Sequence, residues 1–178
     1  MKRPGTVLLV DDENEFRENV AEHLINKGFR ILQSREGRQA LTLLRDNLVD
    51  VAFVDILMPG IDGVSLIGHI KGIDPLVEVV IVTGQGTIES AVEAMRRGAF
   101  HYVTKPVRLR ELELVAERAA EKARIARQNR LYREDRRRRH AAGAARLVAA
   151  SRAMEQVLAQ AENMARLVEV GYRIVLLP

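Results

Sequence analysis

The feature that most constrains this chain is the run Val51-Ala52-Phe53-Val54-Asp55-Ile56-Leu57-Met58-Pro59-Gly60. A continuous stretch of branched and aromatic apolar residues delivers one carboxylate to its end, and Pro59 and Gly60 then stop the strand. Such a run suits a parallel strand buried on both faces, with Asp55 at the carboxyl edge, where open α/β sheets bind ligands. The function then depends on which residues other strands bring to that edge.

The rest of the chain supplies matching units. Thr6–Val10 is a short apolar strand followed at once by Asp11, Asp12 and Glu13. Residues 14–27 read as an amphipathic helix with Phe16, Val20, Leu24 and Ile25 on one face, closed by Gly28. A strand over Phe29–Leu32, a helix over Gly37–Asn47, the opening strand and a helix from about Val64 to Gly72 come next. Val77–Val82 is a strongly apolar strand ending at Thr83-Gly84. A helix from Thr87 to Arg97, stopped by Gly98, precedes a strand over Phe100–Val103, with Lys105-Pro106 directly after it. Five strand–helix alternations in so short a span predict an α/β fold, a doubly wound five-stranded parallel sheet.

Beyond residue 108 the pattern changes. Residues 109–139 form an Ala-, Glu- and Arg-rich helical stretch, about 45 Å long at 1.5 Å per residue, long enough to project from the domain. Ile125, Asn129 and Tyr132 fall at 4,3 spacing, with Val115, Ala119 and Ala126 near the same stripe, which outlines a coiled-coil seam interrupted by Arg118 and Lys122. The net charge of +4 is concentrated here: residues 108–140 hold twelve Lys or Arg against six Asp or Glu, and the remainder is slightly acidic. Gly143 marks a linker over residues 141–145, Ser151 caps a second helix to about Val168, and Tyr172–Leu177 reads as a final strand. These boundaries give a core over 1–108, over 109–140 the last helix of that domain continuing into a dimerising coiled-coil connector, and the opening of a further domain over 141–178.

Composition removes several classes of function. The chain has 178 residues and no cysteine, so disulfide frameworks, thiol nucleophiles and Cys-ligated zinc sites are excluded. The Met1-Lys2-Arg3 start leads into Pro4 and Gly5 rather than an apolar targeting segment, and no apolar run approaches the ~20 residues of a membrane span. A cytoplasmic protein without membrane contact is expected.

Aligning the strands places Asp11, Asp12, Asp55, Thr83 and Lys105 at neighbouring strand ends. Adjacent carboxylates repel unless a cation lies between them or one is protonated. Two or three of them with carbonyls and water make a hard oxygen site suited to Mg²⁺. A hydroxyl and an ammonium opposite complete a clamp for a transferring phosphoryl group, with Asp55 as nucleophile. The bland readings are a surface turn for Asp11-Asp12, a strand-end hydroxyl for Thr83 and an ordinary half-buried aromatic for Tyr102.

Four motifs stand in order: Val10-Asp11-Asp12-Glu13, Asp55 through Gly63, Val82-Thr83-Gly84 and Thr104-Lys105-Pro106. Together they resemble the receiver domain of bacterial two-component response regulators, with a CheY-like (flavodoxin-like) fold, over residues 5 to about 125. The resemblance implies that Asp55 is the phospho-acceptor, that Asp11 and Asp12 hold Mg²⁺ with Asp55 and the Leu57 carbonyl, that Thr83 and Lys105 contact the phosphoryl group, and that Tyr102 is the switch aromatic. Val107 stands where Phe is common.

Gly84-Gln85-Gly86, Gly98 through Tyr102 and the long helix are similar to the NtrC and DctD type of σ54-dependent activators. Leu147 through Met154 resembles the start of their AAA+ domain, with Ala149 in place of Gly, but no Walker A motif is present in the chain. The resemblance implies a sensor histidine kinase as phosphodonor, a homodimer through the connector helix and receiver, and control of transcription. Residues 141–178 are then a truncated start of the ATPase domain. The run Arg136–Arg139 lacks a recognition helix or aromatic platform, so direct sequence-specific DNA contact is not expected. His23, His69, His101 and His140 lack metal-ligand spacing. A phosphorylation-independent dimerisation module and an Asp-nucleophile phosphohydrolase are the alternatives. The hydrolase requires an acid two residues after Asp55, where Leu57 stands.

Overall fold

The computed structural model describes the main chain over residues 5–175 and side chains over residues 5–140 and 150–162. Five strands, β1 (Thr6–Val10), β2 (Arg30–Ser34), β3 (Val51–Val54), β4 (Glu78–Thr83) and β5 (Ala99–Thr104), alternate with helices α1 (Asn14–Asn26), α2 (Gly37–Asp46), α3 (Gly63–Ile73), α4 (Ile88–Arg96) and α5 (Leu109–Val175). All strand pairs are parallel, in the order β2-β1-β3-β4-β5. Elements agree with the sequence expectation within two residues, save for the end of α5.

Strand alternation divides the core. Val7, Leu9, Val51, Phe53, Val80 and Val82 face α1 and the first turns of α5. Leu8, Val10, Ala52, Val54, Val79 and Ile81 face α2, α3 and α4. With both sheet faces covered, the strands read as continuous apolar runs. Each fully buried Val, Leu or Ile contributes about 1.5–3 kcal/mol of transfer free energy.

The helices follow the same economy of burial. α1 buries Arg17, Val20, Ala21 and Leu24, while Ile25, expected on the core face, is 55% exposed. It lies one residue past the stripe, where Gly28, at φ 89°, turns the chain into β2. α5 buries Leu112, Val115, Ala116, Ala119, Ala120 and Ala123. Val115 and Ala119, expected near a coiled-coil seam, therefore belong to the domain core: small side chains let the helix lie close on the sheet.

The chain divides into two compact units, Met1–Asn129 and Arg130–Pro178. The second is helical through Val175. The linker expected at residues 141–145 and the break before Ser151 are absent among the described residues. An interior glycine costs a helix only about 1 kcal/mol relative to alanine, and Gly143 is flanked by alanines on both sides. Residues 172–175, expected to begin a strand, are helical as well, and residues 176–178 lie outside the described ones. Among the described residues no helix is long and apolar enough to cross a membrane.

Candidate functional site: an acidic cluster at the carboxyl edge of the sheet

Strand order and register assemble the site. The order reverses at β1, between β1–β2 and β1–β3, and ligands of doubly wound sheets bind outside the carboxyl ends at such a point. Val10 pairs with Val54, so the next residues, Asp11 and Asp55, emerge side by side; the Asp55 amide donates to the Val10 carbonyl at 2.9 Å. Thr83 pairs with Thr104, and the Lys105 amide donates to the Thr83 carbonyl at 2.8 Å. Four strands thus carry the five residues singled out from the sequence to one edge.

Asp11 and Asp55 are buried, at 3% and 7% exposure, and Asp12 is exposed. One carboxylate oxygen from each of the three lies within 4.8 Å of the others. The Lys105 ammonium reaches over the cluster, 2.7 Å from Asp11 Oδ2 and 3.2 Å from both Asp55 Oδ2 and Glu13 Oε2. Its underside rests on the Phe16 ring, 4.1 Å from the centroid. The Glu13 amide donates to Asp11 Oδ1 at 2.9 Å, and the Leu57 amide to Asp55 Oδ1 at 3.2 Å.

The electrostatics are those of an acid-rich pocket. Burial pushes the Asp11 carboxyl above its ordinary 3.8; Lys105 and the Glu13 amide oppose the shift, and the Asp55 charge adds to it. Burial alone would lower the Lys105 ammonium, but Asp11, then Asp55 and Glu13, hold it above its ordinary 10.5. One ammonium does not satisfy three adjacent carboxylates. An all-oxygen donor set with unrelieved acid charge fits a hard divalent cation such as Mg²⁺.

Loop geometry fixes Asp55. Asp62 caps α3, accepting from the Ser65 amide at 2.9 Å, and the Gly63 amide donates to Ile56 at 3.0 Å. Any Cβ at Gly63 would collide with the Asp55 carbonyl oxygen and lie 2.8 Å from Ile56 Cα, so only glycine permits this approach. Leu57 is half exposed beside the site.

Thr83 is fully buried, and its Oγ1 faces the Gln85 amide at 3.4 Å. Tyr102 is half-buried with its hydroxyl 2.9 Å from Ser90 Oγ, and its ring fills the space a side chain at Gly86 would need. Tyr102 is thus joined to the first turn of α4, which Thr87 and Ser90 close with a reciprocal capping box. His23, one of the four histidines without metal-ligand spacing, pairs with Glu113 at 2.9 Å. Residues 136–139 are exposed, with Arg139 paired to Asp135.

Residues 7–117 match the family described as the response regulator receiver domain. The chain belongs to this family. The receiver is 38% identical over 125 residues to an NtrX-like response regulator of Rickettsia felis, an alignment covering 69% of this chain and 26% of the relative. DctD, the C4-dicarboxylate transport transcriptional regulatory protein of Rhizobium meliloti, is 34% identical over 133 residues, covering 75% and 29%. Among solved structures, NtrX from Brucella abortus in complex with ADP superposes with a TM-score of 0.65 at 37% identity, covering 70% of this chain and 29% of that one. The isolated NtrX receiver domain of the same organism gives 0.61 at 39% identity, covering 65% and 98%. These are regulators of the NtrC/DctD type, and the chain spans about a quarter of the length of the curated relatives it matches.

Two residues of the site escaped the sequence reading. The sequence pattern marks Phe16 only as a core-face residue of α1, and its place beneath Lys105 arises from tertiary packing. Arg17 carried a signal: with Val20, Ala21 and Leu24 it completes an i, i+3, i+4, i+7 stripe, so a charged residue falls on a buried face.

Proposed function

We propose that Asp55 is the phospho-acceptor of this receiver and that a sensor histidine kinase is the donor. The observation that carries this reading is the Lys105 ammonium bridging Asp11 and Asp55 within 3.2 Å at the switch point of the sheet. An Asp55 carboxylate oxygen attacks phosphorus; the new O–P bond forms as the N–P bond of a phosphohistidine breaks, its electron pair returning to the imidazole nitrogen. Asp11, Asp12 and Asp55, with the Leu57 carbonyl, would hold Mg²⁺, which when bound screens the charge on the phosphoryl oxygens. Lys105 already lies at Asp55 and needs only a small shift to meet a phosphoryl oxygen. Leu57 offers no carboxylate to take the proton of a water attacking the acyl phosphate, which favours a phosphorylated state over turnover.

The same reading gives Thr83 the second contact to the phosphoryl group, and Tyr102, tied to Ser90, the coupling to α4. Residues 1–108 act as receiver core and 109–140 as the last receiver helix, which continues into a connector through which two copies pair, with the exposed Ile125, Leu131 and Tyr132 available to a partner helix. Residues 141–178 correspond to the start of an AAA+ domain, and the output is control of transcription without sequence-specific DNA contact by this chain. Scattering measurements with Mg²⁺ and beryllofluoride test this switch. A change in dimer geometry that Asp55→Asn abolishes is expected; an unchanged dimer with no ligand at Asp55 would sink the reading.

A further inference from the structure

Arg17 is 4% exposed on the core stripe of α1, a costly place for a permanent charge. Its acceptors are both neutral. Nη1 donates to the Asp11 main-chain carbonyl at 2.7 Å and Nη2 to Asn14 Oδ1 at 2.5 Å, while Nε is buried without a hydrogen-bond partner among the described residues. The void it lines with Phe16, Asp11 and Asp55 is about 10 Å³, room for no more than one water molecule. Packing alone would favour leucine or methionine here. The guanidinium is retained at a cost in desolvation, directly beneath the acidic cluster.

The Asp11 carbonyl belongs to the planar peptide that also contains the Asp12 amide and both Cα atoms. Fixing that oxygen therefore fixes the direction in which both Asp11 and Asp12 leave the chain. The other arm of the fork ends on Asn14, the first residue of α1, so one rigid group registers the acidic loop against the helix. Asn14 Oδ1 is steadied from outside by Arg35 at 3.2 Å, and Asn14 Nδ2 donates to Glu18 at 2.5 Å. A lysine ammonium offers no planar fork spanning both acceptors.

We infer that Arg17 is a positioning residue for the divalent-cation site: its buried fork locks the Asp11–Asp12 peptide so that both carboxylates face Asp55. This rests on the receiver reading above. Residues that orient metal ligands from behind typically cost 10–100-fold in metal affinity when replaced. The effect here falls on cation affinity, and the phosphoryl-acceptor chemistry of Asp55 is untouched once the cation is saturating.

The test is a Mg²⁺ titration of the full chain by calorimetry, and by the Mg²⁺-dependent rise in unfolding temperature, for wild type, Arg17→Lys, Arg17→Gln and Asn14→Ala. Both Arg17 variants should bind Mg²⁺ about tenfold more weakly or worse, and Asn14→Ala, which keeps the Asp11 contact, should lose less. Phosphorylation by phosphoramidate should need correspondingly more Mg²⁺ for half-maximal rate, with the maximal rate near that of wild type. Wild-type Mg²⁺ affinity in the Arg17 variants, whatever their loss of stability, overturns the inference, and so does wild-type affinity in Arg17→Lys alone, since charge would then suffice. If neither Arg17 variant folds, Asn14→Ala decides: unchanged affinity overturns the inference. A wild-type protein with no Mg²⁺ response overturns both this inference and the proposal that Asp55 accepts a phosphoryl group with Mg²⁺.

Discussion

The Lys105 ammonium lies closer to Asp11, at 2.7 Å, than to Asp55, at 3.2 Å. Lys105 is therefore as much the counter-ion of Asp11 as of Asp55. Removing it leaves buried acids without their ammonium. Lys105→Met should cost about 1.5–3 kcal/mol in the absence of divalent cations, the range for hydrogen bonds to charged groups. Mg²⁺ should restore part of that loss, as urea unfolding with and without the cation will show.

At the amino edge of the sheet, Arg127 of α5 ties three elements together. Its Nη2 donates to the Val49 carbonyl at 2.6 Å and pairs with Asp74 at 2.9 Å, while Nε lies 3.5 Å from Asp50. Arg127→Met should lower stability by about 1.5–3 kcal/mol. Mg²⁺ affinity should stay at the wild-type value because the site is at the opposite edge. A loss of Mg²⁺ affinity would show that α5 reaches the acidic cluster energetically.

Most of the architecture was legible because burial on both faces writes itself as apolar runs. Val51–Val54 and Val79–Val82 admit little else, and the acids and Lys105 follow strand ends directly. What was not legible depends on tertiary approach. Phe16 and Val115 carry no sequence mark of what they will pack against. The role of Arg17 was encoded in its helical position, but an arginine among acids is ordinarily a solvated one. The end of α5 departs from the sequence pattern because Gly143 and Ser151 resemble helix punctuation, whereas their alanine-rich surroundings sustain a helix.

Gly63 stands where a side chain would collide with the Asp55 carbonyl. Gly63→Ala should destabilise the fold by at least about 1–3 kcal/mol, as overpacking does. It should also displace the loop that follows Asp55, weakening Mg²⁺ binding. Gly60→Ala isolates the backbone effect, since Gly60 has a positive φ of 87° but open space around it; it should lose stability and keep Mg²⁺ affinity. Equal Mg²⁺ affinity in Gly63→Ala and wild type would contradict the packing argument.

Hydrogen bonds from Lys27 and His23 hold the Glu113 carboxyl below its ordinary 4.5, joining α1 to α5. A carboxyl lowered on folding contributes stability that is present above 4.5 and lost as pH falls through the depressed folded value. The stability difference between wild type and Glu113→Gln should therefore be full just above pH 4.5 and shrink as the pH falls below it. Urea midpoints on the two sides measure it; a difference that grows on acidification would contradict the sign.

The central claim, that Asp55 accepts a phosphoryl group, is tested most directly by intact-mass and peptide mapping after incubation with Mg²⁺ and phosphoramidate. The account predicts the mass gain of one phosphoryl group in the wild-type chain, located at Asp55 and absent from Asp55→Asn. No gain in the wild type, or an equal gain in Asp55→Asn, would contradict it.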